Sequence, residues 1–404
     1  MNTQTIITDK CVFGGNCLSK INGKAVFVPF AVPGETLEVE ITQSKRDYDS
    51  AEIRNIIKPS EHRVKPECPY YGTCGGCNMM HIDSEYQKEL RAEMLKDAFV
   101  RNGITPPEIQ VVCGENFGYR SRFQLSDGGL SARGTNTVIP IERCAVAEDC
   151  INEWLSSVPE EKRPSGRCHI FGSGKVVSAG GKSGCSVSVS AGFEKDVPVQ
   201  PSKKFKNMKQ VKKHYAGTVL SEETLVTVEL LGKKITFDAR GFFQSNLGVL
   251  EKAILEICRG LCGSTVLDMY AGCGTFSVFL SDIFEKTTLV EHNRDALVFA
   301  EQNLSGKNHE SIGLSGAKWA AANRNAYFDA AVIDPPRSGM EKEVLEYLCR
   351  SGIPQIRSVS CDPATQARDT AALVQFGYVL KRLYLLDFYP NTSHIESLAV
   401  LEKE

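Results

Sequence analysis

The chain has 404 residues, of which 42% are hydrophobic and 24% charged, a balance typical of a globular protein with two or three domains. Its formal net charge of −2 excludes binding to polyanions through overall charge, so a nucleic-acid site must come from local basic clusters. The sequence contains no apolar run of about 18 residues and no secretory leader, which predicts a cytoplasmic protein that does not span a membrane and keeps its 15 cysteines free of structural disulfides.

Residues 1–60 alternate short apolar runs with turn signals. Asn22-Gly23 and Pro33-Gly34 separate segments rich in β-branched and aromatic residues, which predicts a small β-barrel. The stretch GGNCLSKINGKAVFVPFAVPGE resembles the TRAM domain, an oligonucleotide-binding-type (OB-like) barrel. The resemblance implies that this domain binds RNA, and a purely structural accessory barrel is the alternative.

Three cysteines lie close together in the run PECPYYGTCGGCNMMH. Five residues separate Cys68 from Cys74, and two separate Cys74 from Cys77. Such thiolates can converge on one centre if a fourth ligand comes from elsewhere, and Cys144 in IPIERCAVAED is the best candidate. The spacing alone fits a zinc site and an iron–sulfur cluster equally well.

After the cysteine run, the pattern of residues predicts a helix over 84–103, and β-rich segments follow up to about residue 240. Arg120 and Arg122 lie beside aromatic residues, where they line either an RNA groove or the solvent face of a strand. A dense lysine run follows, formed by Lys203, Lys204, Lys206, Lys209, Lys212 and Lys213. These lysines either contact phosphates or form an ordinary solvated surface.

A strand, a glycine-rich turn and a helical pattern follow one another in TVLDMYAGCGTFSVFL. Asp268 is placed at the strand end, and Gly272 and Gly274 allow a tight turn that a nucleotide can approach closely. Ser277 stands where a third glycine of the dinucleotide fingerprint would be, which argues against nicotinamide and flavin cofactors. Glu291 ends the next strand, where it can bind ribose hydroxyls. The pattern predicts a doubly wound sheet with a ligand at its carboxyl edge.

Two later strands also end in reactive side chains. Asp334 ends the strand in FDAAVIDPPRSG, and Cys361 follows the strand in SVSCDPATQARD. Asp362 is placed to cap the next helix and Pro363 suits its first turn. The helix dipole then favours a thiolate, which predicts a nucleophile, whereas a packing role is the alternative for a single cysteine.

Five motifs in chain order, FFQSN, DMYAGCGTF, DPPRSG, SCDPATQARD and HIESLAVLEK, resemble those of the class I S-adenosylmethionine-dependent RNA 5-methyluridine methyltransferases. The resemblance implies a Rossmann-like methyltransferase domain at 241–404, with Cys361 as nucleophile and Glu396 as general base. Its implied contacts to the methyl donor are Gln244, Tyr270, Gly272, Gly274, Thr275, Glu291 and Asp334. The chain departs from the family at Asn391, where a histidine is usual, and at Asp362, where an asparagine is usual.

Members of the family's ribosomal RNA branch carry the N-terminal cysteine pattern with a [4Fe-4S] cluster. The resemblance therefore implies that the cluster ligands are Cys68, Cys74, Cys77 and Cys144. The expected organisation is an α/β protein with a TRAM-like barrel at 1–60, a central β-rich domain with the cluster at 61–240, and the methyltransferase domain. The expected substrate is a uridine of 23S ribosomal RNA rather than transfer RNA, with no obligate protein partner.

The chemistry explains why a cysteine is needed. Carbon 5 of uracil is a poor nucleophile until a thiolate adds to carbon 6, and a base must later remove the carbon 5 proton. Methylation of an exocyclic amino group of adenine or guanine is the closest enzymatic alternative, because an Asp-Pro-Pro turn also occurs in such enzymes and they need no cysteine. A catalytically silent RNA-binding or redox-sensing protein is the alternative from another class.

Overall fold

The computed structural model describes residues 3–177, 188–191 and 224–404. The lysine run at 203–213 lies outside these residues, so its contact with RNA stays a prediction. Among the described helices, none combines the length and the apolar character needed to cross a bilayer.

The N-terminal region is a single curled sheet. Its strands are β1 (Thr3–Ile7), β2 (Lys10–Cys11), β3 (Cys17–Ile21), β4 (Lys24–Val28), β5 (Thr36–Ser44) and β6 (Tyr48–Lys58). Their order is β1-β5-β6-β4-β3-β2, so the two outer strands are neighbours in the chain and the sheet must curl back on itself. Asn22 and Gly23 have φ of 51° and 82°, as a tight hairpin turn between β3 and β4 requires. The predicted pattern of strands and turns is confirmed.

A long helix, α1 (Ser84–Arg101), begins the central region and confirms the helix predicted over 84–103. Asp83 caps it by accepting a hydrogen bond from the Tyr86 backbone N–H. Leu90, Leu95 and Phe99 on its buried face belong to one apolar core that also contains residues of the barrel and of the C-terminal domain. Helix α1 therefore packs the three parts of the chain together.

Short strands make up most of the remaining central region. The elements are β7 (Ile109–Val112), β8 (Arg122–Ser126), β9 (Leu130–Ser131), β10 (Val138–Ile139), α2 (Asp149–Ser157), a 3-10 turn (Glu160–Lys162), β11 (Arg167–Phe171), β12 (Ser188–Ala191), β13 (Leu225–Leu230) and β14 (Lys233–Asp238). Strands β8, β11 and β12 form an antiparallel sheet, β9 pairs with β10, and β13 with β14 forms a hairpin. The region is β-rich, as predicted.

The C-terminal domain alternates strands and helices. Its elements are α3 (Leu247–Cys258), β15 (Thr265–Met269), α4 (Thr275–Leu280), β16 (Lys286–Val290), α5 (Arg294–Asn303), β17 (His309–Ile312), α6 (Gly316–Ala322), β18 (Ala330–Ile333), α7 (Lys342–Ser351), β19 (Gln355–Ser360), α8 (Pro363–Gln375), β20 (Tyr378–Leu386) and β21 (Glu396–Lys403). The sheet order is β17-β16-β15-β18-β19-β21-β20-β7.

This order confirms the doubly wound, Rossmann-like fold. Strands β15 to β19 are parallel, and the chain runs outward from β15 to β17 before it returns to β18 on the other side of β15. The switch in direction lies between β15 and β18, where open α/β sheets bind ligands. Strand β21 is antiparallel to its neighbours β19 and β20. Strand β7 of the central region pairs in parallel with β20 and extends the sheet.

Candidate active site

Two neighbouring strands bring the predicted nucleophile and the predicted base to the same edge of the sheet. The antiparallel register of β19 and β21 pairs Ser360 with Ser397. One position further along, Cys361 leaves β19 opposite Glu396, the first residue of β21. Asp334 follows β18, the parallel neighbour of β19, and so belongs to the same edge. Three side chains from three separate motifs therefore meet at one place.

The thiol of Cys361 lies directly before a well-capped helix. Helix α8 begins at Pro363, and an Asp362 carboxylate oxygen accepts hydrogen bonds from the backbone N–H groups of Ala364 (3.0 Å) and Thr365 (2.9 Å), which confirms the predicted cap. Burial, together with the charges of the Glu396 and Asp334 carboxylates, nevertheless raises the pKa of the Cys361 thiol to about 11. The prediction of a lowered thiol pKa is therefore wrong for the ligand-free protein, since burial and acidic neighbours outweigh the helix dipole.

Glu396 is only 4% exposed. Burial, followed by the charge of Asp334, raises the pKa of its carboxyl to about 8, although the nearby Arg337 guanidinium opposes the shift. Burial also raises the pKa of Asp334 to about 7. A carboxyl with a pKa near neutrality can take up a proton during a reaction and release it afterwards.

The loop at 387–395, here called the base loop, joins β20 to β21 and leads directly into Glu396. Asp387 forms a buried ion pair of 2.6 Å with Arg91 of α1. Asn391 has a left-handed φ of 68°, and its backbone N–H donates to the Gln87 side chain of the same helix at 2.9 Å. Helix α1 thus holds the base loop from the central region.

Sequence reasoning missed Gln87 and Arg91 because their partners lie at the other end of the chain. A signal was present, since both are polar residues on the face of α1 that buries Leu90 and Phe99. A polar pair on an apolar helix face requires buried partners.

The glycine turn after β15 lies at the same edge of the sheet, on the other side of β18 from Cys361. Gly272 has φ of 57°, and no atom lies within 4 Å of the place where a Cβ would stand, so a ligand can approach the backbone there. Its N–H donates to a Glu291 carboxylate oxygen at 2.9 Å. Gly274 caps α4 in the left-handed region, and Thr275 is the first residue of that helix. Among the described residues, the buried side-chain oxygen of Gln244 has no hydrogen-bond donor.

Two residues of the β15 segment differ in detail from the sequence prediction. Strand β15 continues to Met269, so Asp268 lies inside the strand rather than at its end, wholly buried, and accepts a 2.5 Å hydrogen bond from the Ser277 hydroxyl. Ser277 therefore replaces a glycine in order to brace the turn. The Tyr270 hydroxyl is hydrogen-bonded to Glu341, and its backbone N–H donates to the Val290 carbonyl oxygen at 2.9 Å.

The structure also gathers the four cysteines of the N-terminal pattern, although they come from two segments. Three of them, Cys68, Cys77 and Cys144, pack against a small apolar cluster that includes Tyr119. Burial raises the pKa of Cys77 to about 12, and the charges of the other three cysteines add to the shift, Cys74 included. Within the described ranges, no group of three or more His, Cys, Asp or Glu side chains is arranged to hold a single metal ion.

Comparison with known proteins agrees with this geometry. The family model for tRNA (Uracil-5-)-methyltransferase matches residues 219–404, and the TRAM domain model matches residues 4–53. The structure is similar to the crystal structure of Pyrococcus abyssi tRNA (uracil-54, C5)-methyltransferase in complex with S-adenosyl-L-homocysteine, with a TM-score of 0.71, 22% identity, and coverage of 98% of this chain and 99% of the other. This similarity shows the fold.

Relatives match over almost the whole chain. An uncharacterized RNA methyltransferase from Treponema denticola is 36% identical over 100% of both chains, and one from Thermotoga maritima is 31% identical over 98% of both. The 23S rRNA (uracil(1939)-C(5))-methyltransferase RlmD of Chromohalobacter salexigens is 28% identical over 95% of this chain and 86% of its own. The chain therefore belongs to the RNA (uracil-5-)-methyltransferase family and carries an N-terminal TRAM domain.

Proposed function

We propose that this S-adenosylmethionine-dependent RNA uracil-5-methyltransferase modifies carbon 5 of a uridine in 23S ribosomal RNA through a transient bond between Cys361 and the base. The observation that carries the proposal is the pairing of β19 with β21, which sets Cys361 opposite the buried Glu396. Several relatives that match more than nine-tenths of this chain are named for 23S rRNA. An RNA substrate fits a cytoplasmic enzyme, although Cys150 forms a disulfide, contrary to the prediction that all the cysteines are free of such bonds.

The chain supplies both the nucleophile, Cys361, and the general base, Glu396. The Cys361 thiol first releases its proton to solvent. The thiolate then adds to carbon 6 of uracil, and the electron pair of the carbon 5–carbon 6 double bond moves toward the carbonyl at carbon 4. Carbon 5 then attacks the methyl carbon of S-adenosylmethionine, whose sulfur leaves with the bonding pair as S-adenosylhomocysteine. The Glu396 carboxylate removes the carbon 5 proton, the double bond reforms, and the Cys361 sulfur departs with its electron pair.

The pocket residues fit the methyl donor. Gln244 offers an unpartnered buried oxygen, and the backbone at Gly272 leaves open space. Glu291 is buried directly after β16, and we assign it to accept hydrogen bonds from ribose hydroxyls. We assign Tyr270, Gly274, Thr275 and Asp334 to the same pocket, because they line the turn and the strand ends around it.

Replacement of Glu291 by glutamine tests this pocket. We expect the dissociation constant for S-adenosylmethionine to rise by about 10-fold, because charge-assisted hydrogen bonds to the ribose become neutral ones. Glutamine keeps one oxygen that accepts from the Gly272 N–H, and its amide nitrogen replaces the oxygen that accepts from the Asn293 N–H. Isothermal titration calorimetry measures the change, and Glu310→Gln on the exposed face of β17 is the control. An unchanged dissociation constant in Glu291→Gln contradicts the assignment.

We propose further that the four gathered cysteines hold a [4Fe-4S] cluster. Four thiolates are the ligand set of such a cluster, and each binds a different iron, so the sulfur atoms need not converge on one point. The mutual effect of the four thiols on the pKa of Cys77 supports their proximity. When bound, the cluster ties the segment at 68–77 to the segment that contains Cys144.

Metal analysis of anaerobically purified protein tests the cluster. We expect about four irons per chain and the broad absorption of a [4Fe-4S] centre. Cys77→Ser should lose most of the iron, whereas Cys113→Ser, a half-buried cysteine beyond the end of β7, should keep it. A preparation that contains one zinc per chain and no iron overturns the cluster in favour of a zinc site.

Mass spectrometry of modified RNA tests the reaction itself. The protein is incubated with labelled S-adenosylmethionine and with unmodified 23S ribosomal RNA or transfer RNA. We expect 5-methyluridine at a defined position of the ribosomal RNA. Label in transfer RNA alone supports the second candidate substrate, for which the Pyrococcus abyssi structure is named. Label on an adenine or guanine amino group overturns the proposed function.

A further inference from the structure

Contacts from three parts of the chain meet at Asn78, the residue directly after Cys77. Its side-chain oxygen accepts from the Ser393 backbone N–H at 2.8 Å, and its side-chain N–H₂ donates to the Ser393 hydroxyl at 2.9 Å. The same N–H₂ group donates to the Gly14 carbonyl oxygen of the barrel at 3.1 Å. The backbone N–H groups of Asn78 and Met79 both donate to the Asn391 carbonyl oxygen, at 3.2 and 3.0 Å.

We propose that Asn78 is a positioning residue for the general base: it fixes the base loop at Ser393 and Asn391 and thereby sets where Glu396 stands relative to the uracil ring. The inference rests on the proposed function, because it gives Asn78 a role only in the step that Glu396 performs. Ser393 precedes Glu396 by two intervening residues, so a displacement at Ser393 reaches the base with little chain to absorb it.

The site is built for an amide. An asparagine side chain offers one acceptor and two donor hydrogens, and Asn78 uses both kinds of group. An aspartate keeps the acceptor but loses the donors, and it places a negative charge against the Gly14 carbonyl oxygen. The barrel makes room for the amide at Gly15, where a Cβ would stand 2.5 Å from the Asn78 side-chain nitrogen. Gly15 has φ of 84°, which suits glycine.

Asn78 lies directly after Cys77 in the cysteine segment, and its side chain is hydrogen-bonded to the barrel at Gly14. The barrel turn at 12–16 lies against Ser393 of the base loop and is hydrogen-bonded to it through the Asn78 side chain. The position of the base therefore depends on the barrel, where RNA is expected to dock. Helix α1 supplies a second anchor through Gln87 and Arg91. Removal of the Asn78 side chain should therefore loosen the base loop without unfolding it.

The test compares Asn78→Ala and Ser393→Ala with the wild-type chain. Addition of Cys361 and methyl transfer precede the action of Glu396, so a misplaced base should leave methylated RNA bound covalently to the enzyme. We expect kcat for Asn78→Ala to fall by about 10- to 100-fold while KM for RNA changes by less than about 2-fold. A covalent adduct of enzyme and methylated RNA should accumulate on denaturing gels. Ser393→Ala, which removes one hydrogen-bonding group, should show a smaller effect of the same kind.

Control variants separate the outcomes. Asn102→Ala removes a side chain that bonds only within the end of α1 and should behave as wild type. Glu396→Gln should trap the same adduct; if it does not, the proposed role of the base fails, whatever Asn78 does. If Glu396→Gln traps the adduct while Asn78→Ala and Ser393→Ala do not, the inference about Asn78 is overturned. Iron is measured in the same samples, and an adduct found only in iron-depleted protein also overturns it.

Discussion

Replacement of Cys361 by alanine is expected to abolish methyl transfer to RNA. Without the sulfur, carbon 5 of the uridine never becomes nucleophilic, so we expect the rate to fall by at least about 10³-fold. S-adenosylmethionine should still bind, because Cys361 lies across the edge from the glycine turn and Glu291. Filter binding of labelled methyl groups in RNA, together with calorimetry of donor binding, measures both effects. Full activity in Cys361→Ala would instead favour methylation of an amino group.

A second experiment identifies the bond. RNA that carries 5-fluorouridine cannot lose a proton from carbon 5, so the wild-type chain should remain attached to it after methyl transfer. Cys262→Ala is the matched control, because Cys262 is exposed in the loop between α3 and β15. We expect this variant to form the adduct, and Cys361→Ala to form none. Peptide mapping of the adduct should identify Cys361.

Replacement of Glu396 by glutamine should stop the reaction one step later. We expect turnover to fall by about 10²- to 10⁴-fold, the usual contribution of a general base, while the covalent intermediate with methylated uridine accumulates. Burial raises the pKa of Glu396 to about 8, so in the wild-type chain the carboxylate fraction, and with it the decay of the adduct, should rise with pH through about 8 and level off above it. Rapid-quench measurement of adduct decay at several pH values tests this, and the glutamine variant should lack the rise.

The effect of Glu396→Gln on stability should depend on pH, and this dependence tests the burial of the carboxyl. The folded chain keeps a proton on Glu396 that the unfolded chain releases between pH 4.5 and about 8, so stability falls as pH rises through this window. Each unit of the shift corresponds to about 1.4 kcal/mol. Glu396→Gln should therefore raise the melting temperature relative to wild type more at pH 8 than at pH 5. An equal change in melting temperature at the two pH values would contradict the burial of this carboxyl.

Local chemistry made the sequence informative where a motif contains its own partners. Asp362 and Pro363 form the predicted cap and first turn of α8, and the hairpin at Asn22 and Gly23 has the predicted left-handed backbone. The alternation of strands and helices was enough for the doubly wound sheet. The role given to Glu396 came from resemblance, since neither periodicity nor spacing distinguishes it from a surface glutamate.

The remaining features depend on contacts between distant parts of the chain. The raised pKa of Cys361 follows first from burial and then from Glu396 and Asp334, which lie in other motifs, so a local argument from the helix dipole pointed in the wrong direction. Asn391 attracted attention as a departure from the family, but its partner Gln87 became visible only in the fold. Hydrogen bonds between residues this far apart leave no periodic pattern in a sequence.

Strand β7 has a consequence for dissection of the enzyme. It comes from the segment after α1 and covers the side of β20 that would otherwise be the margin of the catalytic sheet, with four residue pairs from Leu383↔Ile109 to Leu386↔Val112. A fragment that starts at residue 219 would lack β7 and expose the unpaired N–H and C=O groups of β20. Such an edge strand promotes intermolecular strand pairing. The catalytic domain is therefore not complete as a C-terminal segment, because its sheet includes β7, a strand from the central region of the chain.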